Sequence, residues 1–160
     1  MEDVQVAIMM GSASDLPTMQ EAAKILKDFG VGHEMRVLSA HRTPRETAEY
    51  AEGLISRGVK IVIAGAGGSA ALAGVVAAHT NLPVIGIPIQ ETAVNGMDSL
   101  LSTVQMPPGV PVGAVAIGKP GAKNAALLAL RILGLSDDSV AAKLDEFSQK
   151  QREKILNTKI

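Results

Sequence analysis

The chain has 160 residues, a net charge of -1, no cysteine, no tryptophan, one tyrosine and two phenylalanines. This composition excludes disulfides and thiolate metal sites, and the lack of a basic face with stacking aromatics argues against polynucleotide binding. No apolar run reaches the roughly 20 residues of a membrane span. Residues 1–3 lead directly into a strand-like segment rather than a signal peptide, so we expect a cytoplasmic protein.

Apolar runs alternate with amphipathic stretches from one end of the chain to the other. The apolar runs are continuous, as in parallel strands that are covered on both faces. They predict strands at residues 4–10, 33–38, 60–64, 83–87 and 112–117. Helical spacing of apolar residues predicts helices at residues 16–29, 44–57, 70–79, 122–133 and 137–156.

This alternation predicts βαβ units and a parallel sheet. About five such strands fit a flavodoxin-like three-layer α/β/α sandwich, although the sequence leaves the strand order open. We expect a single domain over residues 1–160, with an α/β core at 1–135 and a C-terminal helical extension at 136–160. The longest stretch without a predicted element, residues 88–111, is unusual in a compact domain and indicates a functional segment.

The loop after the first strand is the first candidate site, because ligands of open parallel sheets bind at the carboxyl ends of strands. Its residues, Gly11–Asp15, are small enough to let backbone N–H groups approach an anion at the start of a helix. Ser12 and Ser14 add hydroxyl donors, and Asp15 can accept from ribose hydroxyls. The alternative interpretation is that Ser14 or Asp15 only caps the helix. The loop matches neither a Walker A motif nor a dinucleotide fingerprint.

The loop after the second strand contains a histidine next to an arginine. Thr43 and Pro44 resemble the N-cap and first residue of a helix, which leaves Ser39, His41 and Arg42 on the turn before it. An imidazole can donate and accept a proton near neutral pH, and a guanidinium can hold a phosphate with two hydrogen bonds. A histidine on a turn is often only a surface residue. At the carboxyl end of a strand and beside an arginine, however, His41 is predicted to be catalytic.

The loop after the third strand, Gly65–Gly74, is rich in glycine and alanine. Such a run indicates a positive φ or a close backbone contact at some position. Its N–H groups can face a carboxylate or CO2, or the loop can form a mobile wall over a base. Alternatively, the glycines only relieve crowding where a helix begins.

Other sites receive less support from the sequence. His33 starts a predicted strand and His79 ends a predicted helix, so both are weak catalytic candidates. No group of His, Asp and Glu has metal-ligand spacing, and the serines lack the Gly-x-Ser-x-Gly elbow of hydrolases. We therefore expect neither a metal site nor a serine nucleophile.

Several motifs occur in an order and spacing that resemble one known family. They are MGSASD at 10–15, SAHRTP at 39–44, AGAGG at 64–68, DSL at 98–100, VQMP at 104–107 and KNAALL at 123–128. Over nearly its whole length the sequence resembles the class I N5-carboxyaminoimidazole ribonucleotide mutases of purine biosynthesis. The resemblance implies a flavodoxin-like subunit of a homo-octamer whose C-terminal helix extends to a neighbouring subunit, with no metal and no organic cofactor. It also implies a phosphoribosyl aminoimidazole nucleotide as substrate, whose carboxylate leaves N5 as CO2 and is attached again at C4.

The resemblance also implies roles for residues at matching positions. Ser12 and Asp15 would bind the nucleotide, Asp15 through the ribose hydroxyls, and His41 would be the proton shuttle. The residues that surround the phosphate would be Ser14, Ser39 and Arg42. The residues that flank the base and the migrating carboxyl would be Ala66, Gly67 and Gly68.

The chain departs from the class I pattern in the third loop. Ala71 and Ala73 stand where that pattern has histidine and proline. The related class II enzymes carboxylate aminoimidazole ribonucleotide with CO2 directly, and their loop also lacks this histidine. They have lysine where this chain has Arg42, and they lack the Gly67-Gly68 pair. The resemblance therefore favours the mutase, with a CO2-dependent carboxylase (a lyase) and a non-catalytic nucleotide-binding paralogue as the alternatives.

Overall fold

The computed structural model describes residues 3–159, and within them five strands form one sheet. The strands are β1 (Val6–Met10), β2 (His33–Val37), β3 (Ile61–Gly67), β4 (Val84–Ile89) and β5 (Gly113–Ala114). All neighbouring pairs are parallel, in the order β2-β1-β3-β4-β5. The order reverses beside β1, since the chain passes from β1 to β2 on one side and then to β3 on the other. The predicted flavodoxin-like sheet is confirmed.

Helices cover both faces of the sheet. In the described part of the chain they are α1 (Leu16–Asp28), α2 (Pro44–Glu52), α3 (Leu72–His79), α4 (Met97–Val104), α5 (Gly118–Leu133) and α6 (Asp138–Leu156). Every residue of β1 is buried, and successive side chains point to opposite faces. Ile8 therefore packs in the cluster formed with α1 and α5, whereas Met9 packs in the cluster formed with α2 and α3. The continuous apolar runs follow from this burial on both faces.

Residues 88–111 are not the irregular segment that the sequence indicates, because α4 lies within them. This helix is short and starts after Gly96, which has a φ of 85°. Its serine and threonine hydroxyls donate to backbone carbonyls, with Ser102 2.8 Å from Asp98 O and Thr103 2.6 Å from Ser99 O. Residues of this kind lower helix propensity, so the helix depends on tertiary packing that the sequence pattern does not reveal.

Most predicted elements differ from the observed ones by one to five residues at an end, and three of these differences have a clear local form. The helix predicted at 44–57 ends at Glu52, and a turn of 3-10 helix, Ile55–Arg57, follows it. The strand predicted at 112–117 shrinks to Gly113–Ala114 at the edge of the sheet, where Pro111 just before it has no N–H to donate. The helix predicted at 122–133 begins earlier, at Gly118.

The first half of the C-terminal helix α6 packs on the chain's own core. Val140 is buried, the Phe147 ring lies 5.9 Å from the Phe29 ring, and Lys143 Nζ donates to Phe29 O at 2.7 Å. The far end is different, because Ile155 and Leu156 are 74% and 68% exposed. The last residue of the predicted extension, 160, and the first two residues of the predicted domain lie outside the described residues. No helix between residues 3 and 159 combines the length and the apolar character that crossing a bilayer requires.

Candidate active site

The loops after β1, β2 and β3 meet at the carboxyl edge of the sheet and line one pocket. The space between the pocket walls measures about 400 Å³, and this volume includes solvent at the open side of the pocket. The predicted site residues that line it are Ser12, Asp15, Ser39, His41, Arg42, Ala66 and Gly67. Ser14 and Gly68 do not line the wall, although they belong to loops that form it. The reversal of strand order beside β1 produces the pocket, because the first and third loops leave the sheet in opposite directions.

The first loop is a single 3-10 turn, Ala13–Asp15, that is held by reciprocal hydrogen bonds. The Ser12 N–H donates to Asp15 Oδ2 at 3.0 Å, and the Ser14 N–H donates to Ser12 Oγ at 3.3 Å. The Ser14 hydroxyl lies 2.9 Å from both Ser12 Oγ and Glu91 Oε1. Since an ionised carboxylate only accepts, Ser14 donates to Glu91 and accepts from Ser12. The loop therefore caps its own 3-10 turn through Ser12 and also forms part of the pocket. Asp15 is the N-cap residue of α1, but its side chain makes no capping hydrogen bond to that helix, so the alternative that Ser14 or Asp15 only caps the helix is wrong.

Asp15 is the most perturbed acid of the pocket. Its side chain is buried at 2% exposure, and Oδ1 has no hydrogen-bond partner within residues 3–159. Burial, followed by the neighbouring Glu91 carboxyl, raises the pKa of Asp15 to about 6, although the N–H groups of Ser12 and Gly11 act in the opposite direction. The site thus contains a carboxyl group that changes charge just below neutral pH.

The second loop is fixed by the turn that precedes α2. Thr43 is the N-cap residue and Pro44 the first helical residue, as the sequence predicts. The Thr43 hydroxyl does not cap the helix; it accepts from the Ser39 N–H at 2.9 Å, and the Thr43 N–H donates to Ser39 O at 2.8 Å. These bonds close the turn and leave His41 exposed on the pocket wall, where a bound molecule can reach its ring.

Arg42 connects the first two loops. Its Nη2 donates to Gly11 O at 2.8 Å, and its Nε lies 3.3 Å from Ser39 Oγ. A guanidinium has five N–H donors, of which these contacts occupy two. Arg42 is exposed, so its remaining donors can receive an anion at the pocket wall.

The third loop turns sharply between β3 and α3. Gly68 has a φ of 60° and Ala70 a φ of 35°, so the positive φ that the glycine run indicates is present at both positions. Gly67 provides the close backbone contact, since a Cβ there would lie 2.9 Å from Glu91 Oε2. Ala71 is the N-cap residue of α3 and lines the pocket, so the departure from the class I pattern lies on the wall itself.

Glu91 is a pocket residue that the sequence analysis missed. It follows the end of β4, in the stretch for which the sequence predicts no element. Ligands of open parallel sheets bind at the carboxyl ends of strands, and this holds for the loop after the fourth strand as it does for the first three. A carboxylate shortly after a predicted strand could therefore have indicated Glu91 as a site residue.

The other two histidines lie elsewhere. His33 Nδ1 is 3.0 Å from Val31 O, and His79 Nδ1 is 3.0 Å from Glu52 Oε1; neither ring lines the pocket. Within residues 3–159, no three His, Asp or Glu side chains lie close enough together to hold a metal ion.

The pocket therefore combines groups of different chemistry. Arg42 and the backbone of the first loop can hold an anion, Asp15 and Glu91 can accept hydroxyl donors, and His41 can transfer a proton. This arrangement suits a phosphorylated, hydroxylated small molecule on which one proton has to be moved.

Comparison with known proteins identifies the family. A family model described as AIR carboxylase matches residues 5–154. The chain belongs to the AIR carboxylase family. Two members named N5-carboxyaminoimidazole ribonucleotide mutase are each 54% identical to it. The one from Vibrio parahaemolyticus matches over 96% of this chain and 95% of its own length. The one from Saccharolobus solfataricus matches over 98% of both chains.

A solved structure extends this relation to the fold. The crystal structure of Treponema denticola PurE superposes with a TM-score of 0.85 at 33% sequence identity, and the match covers 95% of this chain and 94% of that chain. The sequence resemblance is therefore confirmed at the level of the AIR carboxylase family.

Proposed function

We propose that this protein is an N5-carboxyaminoimidazole ribonucleotide mutase of purine biosynthesis, an isomerase that forms 4-carboxy-5-aminoimidazole ribonucleotide. One observation carries the proposal. His41 and Arg42 line the same pocket as the Ser12–Asp15 loop, in a chain that is 54% identical to proteins with that name.

The binding roles follow from the chemistry of each group. Arg42 binds the phosphate with its remaining N–H donors, and Ser39 adds its hydroxyl. Ser14 joins this phosphate site when its hydroxyl, which donates to Glu91 in this structure, rotates toward the phosphate. Asp15, a buried acceptor beside Ser12, takes hydrogen bonds from the ribose hydroxyls. This orientation places the base against the third loop, where Ala66, Gly67 and Gly68 offer little side-chain bulk.

The reaction requires a closed space and one proton carrier. The N5–carboxylate bond breaks, its electrons return to nitrogen, and CO2 stays in the pocket. The electron-rich C4 attacks that CO2, and a high effective concentration replaces a dilute reactant. The C4 proton then leaves to His41, which restores the aromatic ring, and His41 returns a proton to the exocyclic nitrogen. In total the carboxyl group moves from nitrogen to C4 and one proton moves from C4 to nitrogen, so the isomerisation balances without a further reactant.

A direct test uses the purified protein with N5-carboxyaminoimidazole ribonucleotide and no added bicarbonate. We expect the C4-carboxylated isomer to form, which can be followed by its ultraviolet absorbance and by ¹³C transfer from the labelled carboxyl. If the substrate only loses CO2 at its uncatalysed rate, the mutase proposal is wrong.

Ala71 favours a second candidate, the direct CO2-dependent carboxylase, because this position lines the pocket and lacks the imidazole of the class I pattern. The carboxylase would turn over aminoimidazole ribonucleotide and saturate at modest CO2. A rate that rises linearly up to high bicarbonate would favour the mutase instead. Labelled CO2 in the buffer separates the two, since the carboxylase incorporates it fully.

We also propose that the chain folds as a single domain and that eight copies of it assemble into a cytoplasmic homo-octamer. Two apolar surfaces support an assembly. Met97, Leu101 and Val104 lie on one face of α4 and are 52%, 51% and 49% exposed, and the end of α6 is also apolar and exposed. Analytical ultracentrifugation should detect the octamer, and truncation after residue 150 should shift it to smaller species.

A further inference from the structure

The loop that carries Glu91 is fixed at both ends by side chains of α4. The buried Ser99 hydroxyl lies 2.8 Å from Ile89 O and 2.9 Å from Gly96 O. Asp98 Oδ2 accepts from the Thr92 hydroxyl at 2.7 Å, directly after Glu91. The position of Glu91 at the end of β4 is therefore defined by the fold.

Glu91 contacts the first and the third loops. Its Oε1 accepts from the Ser14 hydroxyl at 2.9 Å. Its side chain lies so close to Gly67 that a Cβ there would be 3.2 Å from Glu91 Cγ. Through these contacts Glu91 forms part of the pocket wall, to which the second loop contributes His41 and Arg42.

One buried oxygen of this part of the pocket, Asp15 Oδ1, lacks a hydrogen-bond donor among the described residues. Asp15 is 2% exposed, and the Glu91 carboxyl lines the same pocket. Two ionised carboxylates cannot bond to each other, because both only accept. A proton shared by the pair, or a hydroxyl of a ligand, would satisfy Oδ1.

We propose that Glu91 is a further substrate-site residue, which shares one proton with Asp15 in the empty pocket and releases that proton when a nucleotide hydroxyl donates to Asp15. The proton passes to solvent, and the hydroxyl hydrogen replaces it as the donor to Oδ1. This inference rests on the proposed function for the identity of the ligand, but the proton sharing itself does not.

The surroundings of the pair allow this exchange. The groups that face it are the Ser14 hydroxyl from the first loop, the Gly67 backbone from the third, and His41 and Arg42 across the pocket. Burial and the Glu91 carboxyl together raise the pKa of Asp15 to about 6, so both protonation states are populated near that pH.

The first experiment examines the ligand-free protein and does not depend on activity. Carboxyl-¹³C aspartate is titrated by NMR in the wild type and in Glu91→Gln, with Asp15→Asn used to assign the signal. A glutamine removes the like charge and can donate its amide to Oδ1. We therefore expect the midpoint of Asp15 to fall by about one pH unit or more. An unchanged midpoint would overturn the shared proton.

Glu49→Gln is the matched control, because Glu49 is an exposed glutamate of α2 that pairs with Arg45 and lies outside the pocket wall. It should leave the midpoint of Asp15 where it is in the wild type. A shift of equal size in this control would show that the effect in Glu91→Gln is not local, and the proposal would fail.

The second experiment tests the coupling to the ligand, with 4-carboxy-5-aminoimidazole ribonucleotide as the probe. Calorimetric titration near pH 6 in buffers of different ionisation enthalpy should detect proton release in the wild type and much less in Glu91→Gln. Glu91→Ala should raise KM by about tenfold with little change in kcat, since one charged hydrogen-bond partner of the site is lost. An unchanged KM in Glu91→Ala, or equal proton release in Glu91→Gln, would overturn the proposal.

These experiments separate the two hypotheses. If the probe does not bind, the proposed function fails, and the NMR midpoint still decides whether the pair shares a proton. If the probe binds and turns over but the midpoint stays fixed, the function stands and the role of Glu91 is wrong.

Discussion

Two carboxylates in this molecule, Glu34 on β2 and Asp15 at the pocket, differ in how completely the protein satisfies them. The Glu34 carboxylate accepts from the Tyr50 hydroxyl at 2.7 Å and pairs with Arg57 at 2.7 Å and Arg36 at 3.8 Å. Burial alone would raise its pKa, but the hydrogen bonds from Tyr50 and Arg57 and the charges of Arg57 and Arg36 outweigh burial, so the pKa of Glu34 is lowered. Among residues 3–159 no cation forms an ion pair with Asp15, and its pKa is raised.

The difference is the one expected between a structural carboxylate and the substrate-binding carboxylate that we propose for Asp15. Every strong partner of Glu34 comes from the chain itself, so its ionised form is stabilised by folding and needs no ligand. One oxygen of Asp15 has no hydrogen-bond partner in the described part of the chain, and burial disfavours the ionised form of this carboxyl until a donor binds to it. An acid that the fold leaves unsatisfied at the carboxyl edge of a parallel sheet is a candidate for ligand binding, which supports the role that we propose for Asp15.

The largest expected effect of a substitution in the pocket, compared with one in the Glu34 cluster, is a loss of activity. His41→Asn removes the proposed proton carrier but keeps a polar side chain of similar size, so kcat should fall by about 10²- to 10⁴-fold. Because His41 is exposed and packs against little, the midpoint of thermal unfolding should stay unchanged. Steady-state kinetics and calorimetry check both statements, and full activity in this variant would remove His41 from the mechanism.

Asp15→Asn should become more stable than the wild type, in its free energy of unfolding, as the pH rises. The pKa of Asp15 is raised from 3.8 to about 6 in the folded state, so its favourable contribution is complete below pH 3.8 and is lost as the pH rises through 6. With 1.36 kcal/mol for each pKa unit, the wild type should lose about 3 kcal/mol over this range relative to Asp15→Asn. The asparagine amide can donate toward Glu91 while its oxygen accepts from the Ser12 N–H.

Urea denaturation at pH 4, 5.5 and 7, at one protein concentration, measures this effect. The variant should gain stability over the wild type as the pH rises and lose nucleotide affinity at every pH. A stability difference that is flat with pH would contradict the raised pKa of Asp15.

Tyr50→Phe should lower the stability of the fold without changing activity, and its effect should be smaller than that of Asp15→Asn. It removes one hydrogen bond to a charged group from a carboxylate that keeps both arginines, so we expect a loss of about 1–2 kcal/mol in the free energy of unfolding. The kcat and KM should remain those of the wild type, because the cluster lies outside the pocket wall. A change in KM here would show that the two regions are not independent.

The sequence was most informative where one physical effect dominates. Continuous apolar runs identified the central strands, since burial on both faces leaves no polar positions. The loops that form the pocket were found because ligands of open parallel sheets bind at the carboxyl ends of the strands. It failed at α4, whose hydroxyl side chains and short length weaken the helical pattern. It also missed Glu91, because the contact between Glu91 and Ser14 joins residues far apart in the chain. Such a contact depends on the strand order, which the sequence leaves open.

The hydrogen bond from Arg42 to the Gly11 carbonyl has a consequence for ligand affinity. It ties together two loops that start from neighbouring strands, so their backbones lose conformational freedom when the protein folds rather than when a ligand arrives. Binding energy from the phosphate contact that we propose for Arg42 is then available for affinity instead of for ordering the loops. The pocket is in this sense preorganised, and part of its affinity is supplied in advance by the stability of the fold.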